Sequence, residues 1–308
     1  MAITLFAVIT INFIVFNMMP ADPVSTILDP NLPFEAQQLL RKEFGLDQPL
    51  HIRYVLYVKN LLSGELGVSF WSKKPVIDEI MERLPNTILL TGTAALTSMF
   101  IGISLGIFAS SKRGSKFDIA AIGSGLFAYG VPTFFIGLLL LLVFAYLIPI
   151  FPTAGTISRP PPTEFFAHIL DVLWHLTLPL LTITIAAFGG WALYTRNLLL
   201  DVLTEDYIVT ARAKGLSERT ILFKHGFRNI LPPLITIMAL SIPGIFTGSL
   251  ITEVIFSWHG VGRFLFEGVM RVDYPVMQGC FYIIAILVLL SNFFADILYS
   301  LVDPRIRR

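Results

Sequence analysis

Gly102-Ile103-Ser104-Leu105-Gly106 has the Gly-x-Ser-x-Gly spacing with which serine hydrolases present a nucleophile. That chemistry needs a sharp strand-to-helix turn and a histidine within reach of the hydroxyl. Here the five residues lie inside an apolar run of helical character, 86–110. Ala94, Ser98, Gly102, Gly106 and Ser110 recur every fourth residue, so the same glycines read as one stripe of a helix that lets another backbone approach closely. Five histidines, His51, His168, His175, His225 and His259, do not cluster at metal-ligand spacing, and there is no His-Glu-x-x-His. No Gly-Lys dipeptide exists, hence no phosphate-cradling loop for ATP. The single Cys280 sits in an apolar run, suited to packing and incapable of an internal disulfide. The residues therefore point to no catalytic set, no metal and no cofactor; this is not an enzyme by its own motifs.

Two acids fall within apolar segments, Glu253 and Asp296. An Asp at mid-membrane costs about 2.5–3.5 kcal/mol on insertion scales, so such groups face protein or water and often have a role. Glu253 is expected either on a translocation path or gate, or in a local structural pairing; Asp296, beside Asn292 and near Arg305, is expected to be paired structurally. Pro132 after Gly130, and Pro243-Gly244, predict a break and a bend in their helices; such helices often line a cavity, the alternative being a kink absorbed by packing. Pro132, Pro243 and Glu253 are thus the candidates for a path or gate.

The polar, basic stretch 207–233 lies between two long apolar runs, as either an ordinary basic loop or a surface read by another protein. Ala211 and Ala213 favour helix, Gly215 interrupts, Ser217 can cap a second helix from about 218 to 230, and Pro232-Pro233 is expected to stop it. Ile221, Leu222, His225 and Arg228 on that second helix are the expected docking surface. TARAKGLSERTILFKHGFRN before the proline pair resembles the cytoplasmic coupling loop, the EAA loop, of permease subunits in binding-protein-dependent ABC importers, particularly the dipeptide/oligopeptide/nickel branch. Ala211 and Gly215 match that motif, whereas the place of its Glu is taken by Val209. PADPV, FGLDQPLHIRY, GELGVSF, LFAYGVPTFFIGLLLLLVF, IFPTAG, TEVIFSWHGVGRF, RVDYPVMQG and ADILYSLVDPRIR extend the likeness over essentially the whole chain.

Composition agrees with a bilayer. Of 308 residues 55% are hydrophobic and 14% charged, with mean hydropathy +0.75. Net charge is +1 and no basic cluster is interleaved with aromatics, which gives no sign of nucleic acid. Spans are expected at 1–19, 86–110, 119–148, 173–195, 234–258 and 278–301. The first is read as a retained helix, since it lacks the basic start and small-residue cleavage site of a signal peptide; the absence of Lys or Arg before Arg41 is unusual for an inward N-terminus, and the natural start can lie upstream. With both termini inside, the inner segments carry twelve basic residues against three in the short outer loops. The expected division is 1–84, a first transmembrane helix plus a small extracytoplasmic domain with helical pieces at Pro33–Phe44, 51–62 and Pro75–Leu84, then 85–308, a five-helix core carrying the cytoplasmic coupling loop 196–233.

The resemblance implies an all-α integral membrane protein with six transmembrane helices, the type I ABC importer permease fold, in a prokaryotic inner membrane. It implies a second homologous permease, two ATP-binding subunits and an extracytoplasmic solute-binding protein as partners, with Ala211, Arg212, Lys214, Gly215 and Leu216 at the ATPase contact. Peptides are the cargo of the matching branch; nickel, glutathione and oligosaccharides are carried by related systems. The different-class rival is a self-contained secondary transporter, for which midplane ionisable groups and duplicated halves would be expected and are not seen.

Overall fold

The computed structural model describes residues 2–18, 48–247 and 249–302, and these are helical apart from their connections, with no β-strand among the described residues. The expected helix Pro33–Phe44, Gly248 and the terminal arginines lie outside them. In chain order the helices are α1 (Ala2–Met18), α2 (Leu50–Leu62), α3 (Val76–Ser111), α4 (Lys116–Gly130) and α5 (Thr133–Leu147, ending in π-helical turns). They continue with α6 (Phe165–Leu203), α7 (Asp206–Ala213), α8 (Glu218–Thr247), α9 (Leu250–Ile255), α10 (Val261–Met270) and α11 (Tyr274–Val302).

Four helices, α3, α6, α8 and α11, are long and apolar enough to cross a membrane; α4 and α5 pass that test only as a pair, bent by 99°. The break falls at Val131-Pro132, where the sequence places it, because Pro132 cannot donate to the helix before it and starts the next one. In α1 the apolar stretch Ile3–Phe16 is shorter than these spans.

Prolines elsewhere do not interrupt their helices. Pro85 lies inside α3, so the expected helix Pro75–Leu84 and the expected span 86–110 are one element of 36 residues. Pro179 lies inside α6, which at 39 residues runs beyond the expected span 173–195 at both ends. Pro232, Pro233 and Pro243 lie inside α8. The proline pair therefore does not stop the helix, which runs on through Pro243 to Thr247 before α9 starts at Leu250. A proline orphans the carbonyl four residues earlier; for Pro85, Pro232 and Pro233 these belong to Met81, Arg228 and Asn229, all at exposed positions where they need no partner from the helix.

The small-residue stripe of α3 packs as expected: Ala94, Ser98, Gly102, Gly106 and Ser110 are all buried. A side chain at Gly102 would strike Phe188 O and Trp191 of α6, and one at Gly106 would lie 2.6 Å from Ala192 O. On another face of α6, Gly189 meets Gly125 of α4 so closely that a Cβ on Gly189 would collide with the Gly125 carbonyl. Gly244, by contrast, faces open space and makes no close helix contact.

Large apolar side chains such as Leu96, Phe100 and Phe127 point outward, while Thr182, Thr184, Thr195 and Ser291 are buried. That inverted distribution is the one a lipid-facing surface requires. Elsewhere, α1, α2, the start of α3, α10 and α11 share an apolar core that includes Ile9, Leu61, Val76, Phe264 and Cys280, giving Cys280 its expected packing role. Tyr57 of α2 accepts a hydrogen bond from Asn12 Nδ2 at 3.0 Å, and burial pushes its phenol up to about 12. Asp296 of α11 is exposed, and Arg305, one of its expected neighbours, is outside the described residues.

Gly189→Ala is expected to lower the melting temperature of the detergent-solubilised protein, an overpacking effect of about 1–3 kcal/mol. Gly190→Ala, with nothing within 4 Å of the added atom, leaves it unchanged or raises it.

Candidate coupling site

The stretch between α6 and α8 folds as a tight helical hairpin. α7 ends at Ala213, and Gly215 adopts φ +76°, a left-handed conformation that glycine takes without strain. Leu216 N–H reaches back to Ala211 O (3.3 Å) and Gly215 N–H to Arg212 O (2.9 Å), the paired bonds of a Schellman cap. Ser217 then caps α8, its Oγ accepting from Thr220 N–H at 3.3 Å. The helix, glycine turn and serine cap expected from sequence are all present.

The hairpin sits firmly on the bundle. Ile208 and Ala211 of α7 pack on Ile221 of α8, with Leu203 of α6 beside them. Leu222 and Ile230 of α8 then join Ile107 of α3 and Leu199 of α6 in the next core. Gly226 lets the π-helical turns 221–227 of α8 press on α6, since a Cβ there would lie 3.2 Å from Leu199 Cδ2.

Of the predicted contact residues, Arg212, Lys214, Gly215 and Leu216 are exposed and adjacent; Ala211 is buried and serves the hairpin's own core. Arg212 Nε pairs with Glu218 Oε1 at 2.9 Å, a surface bond that steadies the turn more than it stabilises the fold. Ile221 and Leu222, expected on the docking surface, point inward; the exposed apolar groups are Tyr207, Val209, Leu216 and Phe223. Phe223 was not singled out from sequence, since in the apolar run Ile221-Leu222-Phe223 the residues alone do not say which faces outward. The outcome is a basic and apolar surface carried on a rigid turn.

Glu253 lies in α9, wholly buried. Its Oε1 accepts from Thr87 Oγ1 (3.0 Å) and its Oε2 from Arg263 N–H (2.9 Å), while Gly262 N–H also donates to it. Thr87 Oγ1 in turn accepts from Val261 N–H at 2.8 Å. The first three N–H groups of α10 are thus met by one carboxylate and one hydroxyl from other elements, a helix cap supplied from outside the helix. Gly260 and Gly262 leave room for it, because a side chain at Gly260 would occupy the carboxylate's place. Nearby, Trp258 Nε1 donates to Asn86 O (2.9 Å) and Asn86 Nδ2 to His259 O (2.8 Å), which fastens the 258–260 turn to α3. His259 is held below the usual histidine range by burial, and the neighbouring Arg83 acts in the same direction. Of the two roles expected for Glu253, local pairing is the one its geometry displays.

The three path candidates sit on different elements: Glu253 caps α10, Pro132 starts α5 and Pro243 lies within α8. A cavity of about 180 Å³ lies elsewhere, between residues 69–83 and α10, lined by Trp71, Glu79, Arg83, Glu267, Arg271 and Asp273 among others. Its charged groups have partners: Arg83 pairs with Glu79 (3.3 Å), Asp273 accepts from Ser69 Oγ (2.7 Å), and Arg271 stacks on Trp71.

Comparison with known proteins identifies the family. Residues 102–308 match the family model described as binding-protein-dependent transport system inner membrane component, and residues 1–91 match the N-terminal model for the corresponding membrane component. The oligopeptide transport system permease protein AppB of Bacillus subtilis (strain 168) is 38% identical, over 98% of this chain and 95% of that protein. The di/tripeptide transport system permease protein DppB of Pseudomonas aeruginosa (strain UCBPP-PA14) is 36% identical, over 99% and 95%. The glutathione transport system permease protein GsiC of Escherichia coli (strain K12) is 35% identical, again over 99% and 95%. A chain of the MetNI methionine ABC transporter, in an inward-facing conformation, superposes with a TM-score of 0.58, covering 74% of this chain and 97% of that one. At 16% identity that likeness shows a shared fold.

Glu253→Gln is expected to destabilise the protein by about 1–3 kcal/mol, since an amide must turn an N–H toward donors. Thr87→Val should act through the same cap, so thermal unfolding of the double variant is expected to show a loss smaller than the sum of the two.

Proposed function

Because this chain belongs to the binding-protein-dependent transport system inner membrane component family, we propose that it is a transmembrane permease subunit of an ATP-driven, binding-protein-dependent importer of di- and oligopeptides. It forms part of the translocation path, while ATP is hydrolysed by separate subunits and cargo is delivered by a solute-binding protein. Peptide cargo is supported by relatives named as oligopeptide and di/tripeptide permeases that align over nearly the whole chain. Glutathione permeases at similar identity support a second cargo, itself a small peptide. The self-contained secondary transporter is set aside by the family membership.

The carrying observation is the exposed turn 212–216, held rigidly on the ends of α3 and α6. A partner that grips it moves those helices directly, which is what transmission from an ATPase demands. Arg212, Lys214, Gly215 and Leu216 form the contact, joined by Val209 and Phe223, with Ala211 as the internal support. The assembly pairs this chain with a second, similar permease above two ATP-binding subunits. Six crossings with both termini cytoplasmic follow from taking α1, the bent pair α4 and α5, and the four long helices each as one span, in line with the basic residues of the inner loops. The division into 1–84, with a small extracytoplasmic domain after the first helix, and a core of 85–308 goes with that topology; α3 runs through the boundary. Pro132 and Pro243 are proposed to border the path.

Purified through a tag in mild detergent from its host, the chain is expected to bring ATP-binding subunits, a second permease and ATPase activity. Gly215→Pro, which cannot adopt φ +76°, should still insert in the membrane but lose the ATP-binding subunits and peptide uptake. Normal uptake by that variant would refute the coupling assignment.

A further inference from the structure

Next to the coupling hairpin a buried charged pair has no role in the capping or contacts described so far. Asp118 lies in the first turn of α4, its side chain 4% exposed, and Arg196 lies on α6 about two turns before that helix gives way to α7. Arg196 Nε donates to Asp118 Oδ1 at 2.6 Å and its Nη2 to Oδ2 at 2.7 Å, a two-pronged geometry that a lysine cannot reproduce. Oδ2 also accepts from Gly114 N–H at 2.9 Å, and Asp118 N–H donates to Ser115 Oγ at 3.2 Å, so the polar connection between α3 and α4 fixes the carboxylate too.

Stability alone is a poor reason for such a pair, because replacing a buried ion pair with well-packed apolar residues is often neutral or stabilising. What the pair adds is register. Gly106 of α3 presses on the same turns of α6, where a Cβ would lie 3.0 Å from Arg196 N, and Leu199, one turn on, belongs to the core that seats the hairpin. Arg196 is therefore where α3, α4 and α6 meet beside the hairpin. The other end of α4 is the Pro132 break, beyond which the chain turns by 99°.

We propose that Asp118 and Arg196 are positioning residues that latch α4 to α6, so that a displacement of the coupling hairpin reaches the Pro132 break and is not lost as slip between the two helices. This rests on the importer reading. The test uses the importer purified through a tag on this chain, with spin labels at exposed Phe127 of α4 and Phe135 of α5, on either side of the break. The distance between labels is compared without nucleotide and after trapping with ATP and vanadate, alongside ATP hydrolysis.

The native pair is expected to give a distance change on trapping. Asp118→Asn and Arg196→Lys should keep ATP hydrolysis within about twofold while that change is lost, and the exchange Asp118→Arg with Arg196→Asp should restore it at least in part. If the single variants fail to assemble, Asp118→Leu with Arg196→Met decides, since an apolar replacement holds the helices together without fixing their register. An undiminished distance change in assembled variants, or none in the native complex, overturns the latch. Absence of ATP-binding subunits from the native preparation overturns the importer reading itself, and the latch with it.

Discussion

Backbone contact between α6 and its neighbours is the constraint on which the rest of the molecule depends. In lipid, apolar side chains gain nothing by leaving one apolar surface for another, so helices associate where small residues let their backbones come close and dispersion contacts accumulate. Gly102 and Gly106 bring α3 against Phe188 through Arg196, and Gly125 meets Gly189 from the side of α4. α6 is thereby gripped on two faces along its length. It is also the helix that runs directly into the hairpin 206–217, so the surface offered to partners is an extension of the most tightly held element.

Breaks in the helices are placed where their loose backbone groups find other partners. At Pro132 the connection is a single turn of chain, and Val131 N–H still reaches Ala128 O. After α8 the chain restarts at Leu250 as short α9, whose Glu253 serves the N–H groups of α10. At the hairpin, the Schellman bonds and the Ser217 cap do the same with groups of the chain itself. A bundle built in this way has rigid segments joined at a few defined places, and those places are not interchangeable. One is a proline break between two helices, one is stitched by a buried acid, and one carries the exposed turn 212–216.

Much of this was legible in the residues. The four-residue recurrence from Ala94 to Ser110 reports a packing face wherever it occurs, since helical geometry leaves such a stripe no other orientation. Gly215 followed by Ser217 carries its turn chemistry locally, and the Pro132 break follows from the missing donor. The failures share a cause: they concern what neighbours do. Pro85 reads as a boundary and Pro232-Pro233 as a stop, yet the helices continue because lost bonds are tolerated where the carbonyl lies at an exposed position. Ile221 and Leu222 turn inward because they pack on α7 and on the core shared by α3 and α6, neighbours that one helix does not reveal. For Glu253 the residues leave a path or gate role and a local pairing both open, because its three partners, Thr87, Gly262 and Arg263, are not visible as a set in one dimension.

Those partners have an order in time as well as in space. A chain is made from its N-terminus, so Thr87 on α3 is already in place when Glu253 emerges, and Arg263 follows only ten residues later. The carboxylate enters a half-built site and is completed by the next turn of the same nascent segment. The wait for the carboxylate's remaining donors is therefore the synthesis of ten residues, and the first N–H groups of α10 meet an acceptor that precedes them in the chain.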